Sequence, residues 1–477
     1  MNGAKRSNPI ASARDPGTTL ARVNRLVTLA VLAVALLGSA CGSTDGEPGS
    51  EGLDDSFYPN LGNGGYDVLH YDIDLDIDPE ANTIQALTTI TSRATQDLSA
   101  FNLDLSGLTV TEVQINGSRA EFSRSNTELI IEPAGALASG SEFSTSVSYS
   151  GSPEPVADPG VPYQPLGWQN IRGTILTASE PSGSMSWFPS NNHPTDKATF
   201  EIRITVPTPF TAASNGILVE ESSADGYTTT TWRMDDPMAT YLAAVYVGDF
   251  ERVETNQAGG PLIRDYLPRD SPAEIAEALS ITPQVISYYE DLLGPYPFDA
   301  YGTIVMPHTL GFAMENQTLS VHGRDTIDPL VIAHEIAHQW LGNSSTLDDW
   351  SETWLHEGFA TYLSSMYMAE HHGWHLDVKM AGWHGTLSRW NSVPPMEIEN
   401  AQMFDVSVYW RGALTLHALR GLVGETVFSE ILRTHYQQSA NGNTNTVEFL
   451  AVVTQLAGSE AAELVESWLY DDPMPPL

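Results

Sequence analysis

Apolar and polar residues alternate strictly in Tyr71-Asp72-Ile73-Asp74-Leu75-Asp76-Ile77, and again through much of 199–206. A period of two places every apolar side chain on one face, so both stretches predict strands with a single buried face. Turn signals recur at short spacing between such stretches: Asp78-Pro79, Asn116-Gly117, Asn215-Gly216. From about 67 to 250 this pattern predicts a large antiparallel β domain. No fixed-period repeat is present.

Near residue 255 the period changes. Ser271-Pro272 opens a stretch with helical apolar spacing that stops at Gly294, and Asp328-Pro329 opens another that stops at Gly342. Further helices are predicted over 352–371, 411–423, 427–437 and 461–470, with strands around 301–321. The fold class is therefore α+β: an N-terminal antiparallel β-sandwich domain over 58–254, then a mainly helical domain over 255–477.

Composition changes this picture little. With 477 residues and 41% hydrophobic content, the chain can bury two cores, which excludes wholesale disorder. The leader adds more. Lys5, Arg6, Arg14, Arg22 and Arg25 precede an apolar run over 26–37, followed by Gly38-Ser39-Ala40-Cys41. A basic start, a short apolar stretch and small residues read as an export signal over 1–40. The apolar run is short for a membrane span.

Cys41 is the only cysteine, so no intrachain disulfide is possible. It sits where bacterial lipoprotein signals carry the lipidated residue, although Gly38 replaces the usual branched apolar residue. This leads to the expectation of an extracytoplasmic protein, anchored to the bacterial membrane through Cys41, with a flexible tether over 41–57. The formal charge of −39 disfavours nucleic acid as a partner, because such a surface repels phosphate backbones.

The candidate chemistry lies in His334-Glu335-Ile336-Ala337-His338. Four residues advance a helix by about 400°, so the two imidazoles stand roughly 40° apart on one face and can share a metal. Glu335 lies on the adjoining part of that face, within reach of an attacking water. Asp328 and Pro329 fit the start of this helix. Histidines can also sit on a helix for packing alone, so a third ligand is required. Glu357 supplies one, separated from His338 by eighteen intervening residues and near the start of the next predicted helix. Two imidazoles and a carboxylate leave a tetrahedral position open, as catalytic zinc needs. Hydrolysis favours one Zn2+ per chain, while spacing alone leaves other divalent metals open.

The HExxH segment followed by Glu357 in Trp354-Leu355-His356-Glu357-Gly358-Phe359-Ala360 resembles the aminopeptidase N family of gluzincin peptidases, which also includes leukotriene hydrolase. Gly311-Phe312-Ala313-Met314-Glu315-Asn316 is similar to that family's G-x-M-E-N motif, and Tyr409-Trp410-Arg411-Gly412-Ala413 to its Y-x-K-G-A segment. Met238 through Phe250 and Trp187-Phe188-Pro189 through Asp196-Lys197-Ala198-Thr199-Phe200 resemble two further signatures. The resemblance covers roughly 60–475. It implies a saddle-like β domain and a thermolysin-like catalytic domain.

It also implies roles. Glu335 would be the general base and Tyr409 the donor to the oxyanion. Glu315 would hold the free α-ammonium of a peptide, and the main chain of Gly311, Phe312, Ala313 and Met314 would pair with it. The resemblance departs from the family in two places. Ala178, in Thr177-Ala178-Ser179-Glu180, stands where the family has a glutamine, leaving more of the amine contact to Glu180. The sequence after Tyr409 also leaves no room for a large helical C-terminal domain, which implies a more open cleft. His308, His322, His356 and His417 lack ligand spacing and are read as structural or surface residues. Arg411 is read as a helix-start residue.

The first expectation is thus an aminopeptidase whose partners are peptides with free N-termini. An endopeptidase using the open cleft, or a non-catalytic surface-binding protein, are the competing readings.

Overall fold

The computed structural model describes residues 46–256 and 259–477. The expected export signal and Cys41 lie outside the described residues.

An eight-stranded sheet dominates the first domain. From edge to edge it runs Ile217–Ala224, Tyr227–Met238, Ala198–Pro207, Tyr66–Asp78, Thr83–Ala94, Glu142–Gly151, Thr109–Ile115 and Ser118–Arg119. The alternation works as its period requires. Tyr71, Ile73, Leu75 and Ile77 are buried while Asp72 and Asp76 face solvent. The pairing is antiparallel with one exception, since Tyr66–Asp78 and Ala198–Pro207 run parallel, from His70 opposite Thr199 to Asp76 opposite Thr205. Parallel neighbours need a long crossover, and more than a hundred residues separate these two strands. Two four-stranded sheets complete the domain. One of them carries Thr174–Ala178, which delivers the chain to Glu180.

The tether expected over 41–57 needs correction in its described part. Glu47–Pro48 pairs in parallel with Leu98 and Ala100. Asp55 is buried and accepts hydrogen bonds from the backbone N–H groups of Phe57, Tyr58 and, at 2.7 Å, Trp350. Its polar composition reads as linker, yet one carboxylate satisfying three backbone donors pins the segment to the helical domain.

A further sheet begins at Phe250, slightly before the expected boundary. Its order is Phe250–Asn256, Leu262–Pro268, Thr303–Val305, Ser320–His322 and Ala313–Met314, with Ala300–Tyr301 also beside Leu262–Pro268. Ala313–Met314 is therefore an edge strand.

The described helices are α1 Ala273–Leu279, α2 Thr282–Leu293, α3 Pro329–Ala337, α4 Trp354–His372, α5 Leu376–Trp390, α6 Val406–Val423, α7 Glu425–Ser439, α8 Thr446–Ala457 and α9 Ser459–Tyr470. The single helix expected over 271–293 is two, because Pro283, in the first turn of α2, has no N–H to continue a ladder from α1. Helix α6 starts earlier than expected, capped by the Asp405 side chain on the Ser407 N–H, and so includes Tyr409. Helices α5 and α8 were not foreseen. Only Met380, Trp383 and Leu387 of α5 are buried, which makes its apolar stripe thin.

Two carboxylates in the β domain yield a pH prediction. Asp104 and Glu128 face one another across paired strands and are both buried. Burial, reinforced by Glu128, pushes Asp104 from the usual 3.8 up to about 8. A carboxyl that titrates higher when folded binds an extra proton on folding, so stability falls as pH rises from about 3.8 towards about 8. Asp104→Asn is expected to flatten that decline, read as the urea midpoint measured across this window. An unchanged slope would refute it.

Candidate metal centre

Helix α3 begins as its sequence dictates. The Asp328 carboxylate accepts from the Leu330 N–H at 2.9 Å, and Pro329 occupies the first turn. The helix ends at Ala337 rather than Gly342. Gly342 has φ +143°, and a Cβ there would lie 3.0 Å from His338 Nδ1, so a side chain would press on the imidazole. The resulting turn sets the Leu341 carbonyl 3.3 Å from His338 Nδ1. A neutral His338 thus keeps its proton on Nδ1 and aims the Nε2 lone pair inward.

That inward nitrogen meets the other two predicted ligands. His334 Nε2 lies 3.1 Å from His338 Nε2, and Glu357 Oε2 lies 3.1 Å from His334 Nε2 and 3.6 Å from His338 Nε2. Three convergent donor atoms of this type can be satisfied together by one divalent cation. A second group, Glu315, Glu335 and His338, has ligand atoms within 4.8 Å of one another.

Helix α4 brings Glu357 in by an unusually close approach to α6. A Cβ on Gly358 would lie 2.8 Å from the Gly412 Cα, and a Cβ on Gly412 would lie 2.8 Å from the Gly358 Cα. Only paired glycines allow the two backbones to touch here. The crossing sets Tyr409 beside the His334, His338 and Glu357 trio, its ring stacked on His334 with centroids 6.1 Å apart and planes 19° apart.

Charge in this cleft is one-sided. Glu180, Glu315, Glu335 and Glu357 are all at least nine-tenths buried. Burial, with mutual repulsion, raises Glu180, Glu315 and Glu335 above the usual carboxylate range, His338 opposing the rise at Glu315 and Glu335. Burial works against ionised Glu357 too, but hydrogen bonds from His334 and His338 overcome it and hold Glu357 well below that range. Burial lowers His334. At His338 burial also acts downward, yet Glu315, Glu357 and Glu335 together lift it to about 10. Burial and the nearby carboxylates raise Tyr409, so its phenol stays protonated and able to donate.

Glu180 Oε1 and Glu315 Oε1 are buried without a hydrogen-bond partner. Two such oxygens beside a cation site fit a second, ammonium-bearing ligand. The main-chain oxygen of Glu315 is held by the Gln339 amide at 3.0 Å and the Asn343 amide at 2.7 Å.

A cavity of about 640 Å³ collects every predicted site residue: His334, Glu335, His338, Glu357, Tyr409, Glu315, Glu180 and the run Gly311, Phe312, Ala313, Met314. Ala178 also lines it. Sequence reading missed Thr361, Ser364 and Ser365, which follow Glu357 at helical spacing along one face of α4. It also missed Trp383 on α5, Phe404, and Val161 to Leu166 of a β-domain loop, for which no local signal exists. His356 lies outside the trio; its Nε2 accepts from the Leu347 N–H at 3.0 Å. Arg411 is buried inside α6 and donates to the carbonyls of Trp468 and, more closely, Asp471.

Comparison with known proteins gives a consistent result. Residues 277–468 match the peptidase family M1 domain and residues 68–242 its N-terminal domain. Aminopeptidase M1-A of Oryza sativa subsp. japonica is 28% identical over 62% of this chain and 37% of its own length. Aminopeptidase N of Oryctolagus cuniculus is 27% identical over 70% of this chain and 38% of its own. The chain thus spans well under half of these relatives. The M1 zinc metallopeptidase of Deinococcus radiodurans is 33% identical, with a TM-score of 0.84 over 89% of this chain and 98% of that one. A mutant of that peptidase has been crystallised with a Tyr-Ser-Ala substrate.

Proposed function

The chain belongs to peptidase family M1, and on that premise we propose that it is a zinc-dependent aminopeptidase releasing N-terminal residues from peptides. One observation carries the exopeptidase part: the partnerless buried oxygens of Glu180 and Glu315, in the same cavity as His334, His338 and Glu357. A carboxylate pair at that place recognises a cation, and the cation a peptide offers beside its scissile bond is its α-ammonium.

His334, His338 and Glu357 would hold Zn2+, which supplies a Lewis acid without redox chemistry. Glu335, close to His338 yet outside that trio, takes a proton from the attacking water and passes it to the departing amine. The protonated Tyr409 phenol donates a hydrogen bond to the developing oxyanion. The edge strand Ala313–Met314 offers main-chain groups to an extended peptide. Its approach is fixed by Asp325, which accepts from the N–H groups of Leu310 and Gly311 at 3.0 Å each.

The deciding experiment compares a peptide with its N-acetyl form. Acetylation removes a charge that meets two buried carboxylates, and charge-assisted contacts contribute about 1.5–3 kcal/mol each. A drop of about a hundredfold in kcat/KM is expected. Equal cleavage of both forms would overturn the exopeptidase reading, and internal cuts in a long peptide would favour an endopeptidase.

The same proposal places the protein outside the cytoplasm, lipid-anchored through Cys41, on the strength of the basic and apolar leader. Among the described residues no helix is long and apolar enough to cross a membrane.

A further inference from the structure

The Asp196-Lys197-Ala198-Thr199-Phe200 segment has no part in the chemistry above, yet Lys197 reaches the catalytic domain. Of the 21 lysines and arginines in the chain, only Lys5, Lys197 and Lys379 are lysines. Lys197 Nζ donates to three main-chain carbonyls: Asn343 at 3.0 Å, Ser344 at 2.8 Å and Gly442 at 2.9 Å. An ammonium has three donors that can point at three converging acceptors, whereas a planar guanidinium cannot match that arrangement. The choice of lysine is explained by this site.

The base of this ammonium is fixed on the β-domain side. Lys197 directly precedes the strand Ala198–Pro207, and its neighbour Asp196 accepts from the Val68 N–H at 3.0 Å. The far side of the contact leads to the cleft. Asn343 is fully buried, its own N–H donates to the His338 carbonyl at 2.9 Å, and its side-chain amide donates to the Glu315 carbonyl at 2.7 Å. Glu315 is the carboxylate whose Oε1 has no partner.

We propose that Lys197 is a positioning residue: by clamping the turn after α3 from the β domain, it sets Asn343, and through Asn343 the amine-binding Glu315. The inference rests on the aminopeptidase reading, since it assigns Glu315 to the substrate's ammonium. It joins the two domains for a purpose beyond adhesion, because its loss acts selectively on ligands that carry an amine. Burial, with no carboxylate beside it, lowers Lys197 to about 7, so the three carbonyl acceptors are what hold its ammonium form there.

The test uses the zinc-loaded protein and two hydroxamates with the same side chain, one with a free α-amine and one without. In Lys197→Met the amine-bearing inhibitor is expected to weaken about tenfold, and KM for an aminoacyl anilide to rise by a similar factor. The amine-free inhibitor, kcat and zinc content stay near wild type. Lys197→Arg is expected to show the same selective loss, because charge alone does not match the three carbonyls. Asn343→Ala keeps the main-chain acceptor but breaks the bond to Glu315, and it should reproduce the selectivity even if Lys197→Met does not fold. Equal weakening of both inhibitors, or of neither, in a folded variant overturns the inference while leaving the aminopeptidase reading intact. A wild-type protein that binds both inhibitors equally overturns the reading, and the inference with it.

Discussion

Glu335→Gln is expected to lose about a thousandfold in kcat while retaining its metal. Proton transfer by a positioned carboxylate contributes roughly 10²–10⁴ in rate, and glutamine cannot accept the proton that the attacking water must lose. Metal retention follows from geometry. His334, His338 and Glu357 form the trio, and Glu335 is not among them. The exchange is also nearly isosteric, and it replaces one of four carboxyl groups crowded in a buried cleft by a neutral amide, so the variant should fold at least as stably as the wild type. Two measurements suffice: turnover of an aminoacyl anilide, and zinc per chain by elemental analysis. A variant that turns over within tenfold of wild type would remove Glu335 from the mechanism. A variant that loses its zinc would mean that Glu335 is a ligand instead.

Removal of the metal has the second largest expected effect. Chelation should abolish turnover and lower the thermal unfolding temperature, and one equivalent of zinc should restore both. The stability change follows from mass action: a ligand present at a thousand times its dissociation constant contributes about 4 kcal/mol to the folded state. The electrostatics point the same way. Without the dication, Glu180, Glu315, Glu335 and Glu357 share one cleft in which His338 is the counter-charge. Calorimetric scans with and without chelator give the temperature difference. If turnover survives thorough chelation, or if zinc fails to restore it, the metal assignment is wrong.

Much of this site was legible in the sequence because its signals are local. Four-residue spacing on one helix puts His334 and His338 together, and Asp328-Pro329 announces where that helix starts. The position of Glu357 near the start of the following helix was readable too, given that two consecutive helices tend to pack. Glu315, Glu180 and Tyr409 are different. Spacing gave them no role; their order along the chain and its likeness to a known family did.

What sequence could not supply was convergence over long separations. Trp383 sits on a helix whose apolar stripe is too thin to announce itself, and the loop from Val161 to Leu166 reaches the cavity from the other domain. The Lys197 contacts join residues more than a hundred positions apart, through main-chain oxygens that no side-chain pattern marks. The tether was misjudged for a related reason. Its polarity was visible, while the three backbone donors gathered by Asp55 were not, one of them lying almost three hundred positions away.

The touching glycines of α4 and α6 have a mechanical consequence. With backbone against backbone at Gly358 and Gly412, neither helix can slide or roll without the other, so Glu357 and Tyr409 travel as a single jaw. Breathing of the cleft to admit a peptide must then come from its opposite wall, the edge strand and the β-domain loop. A single added methyl at either glycine would pry that jaw apart.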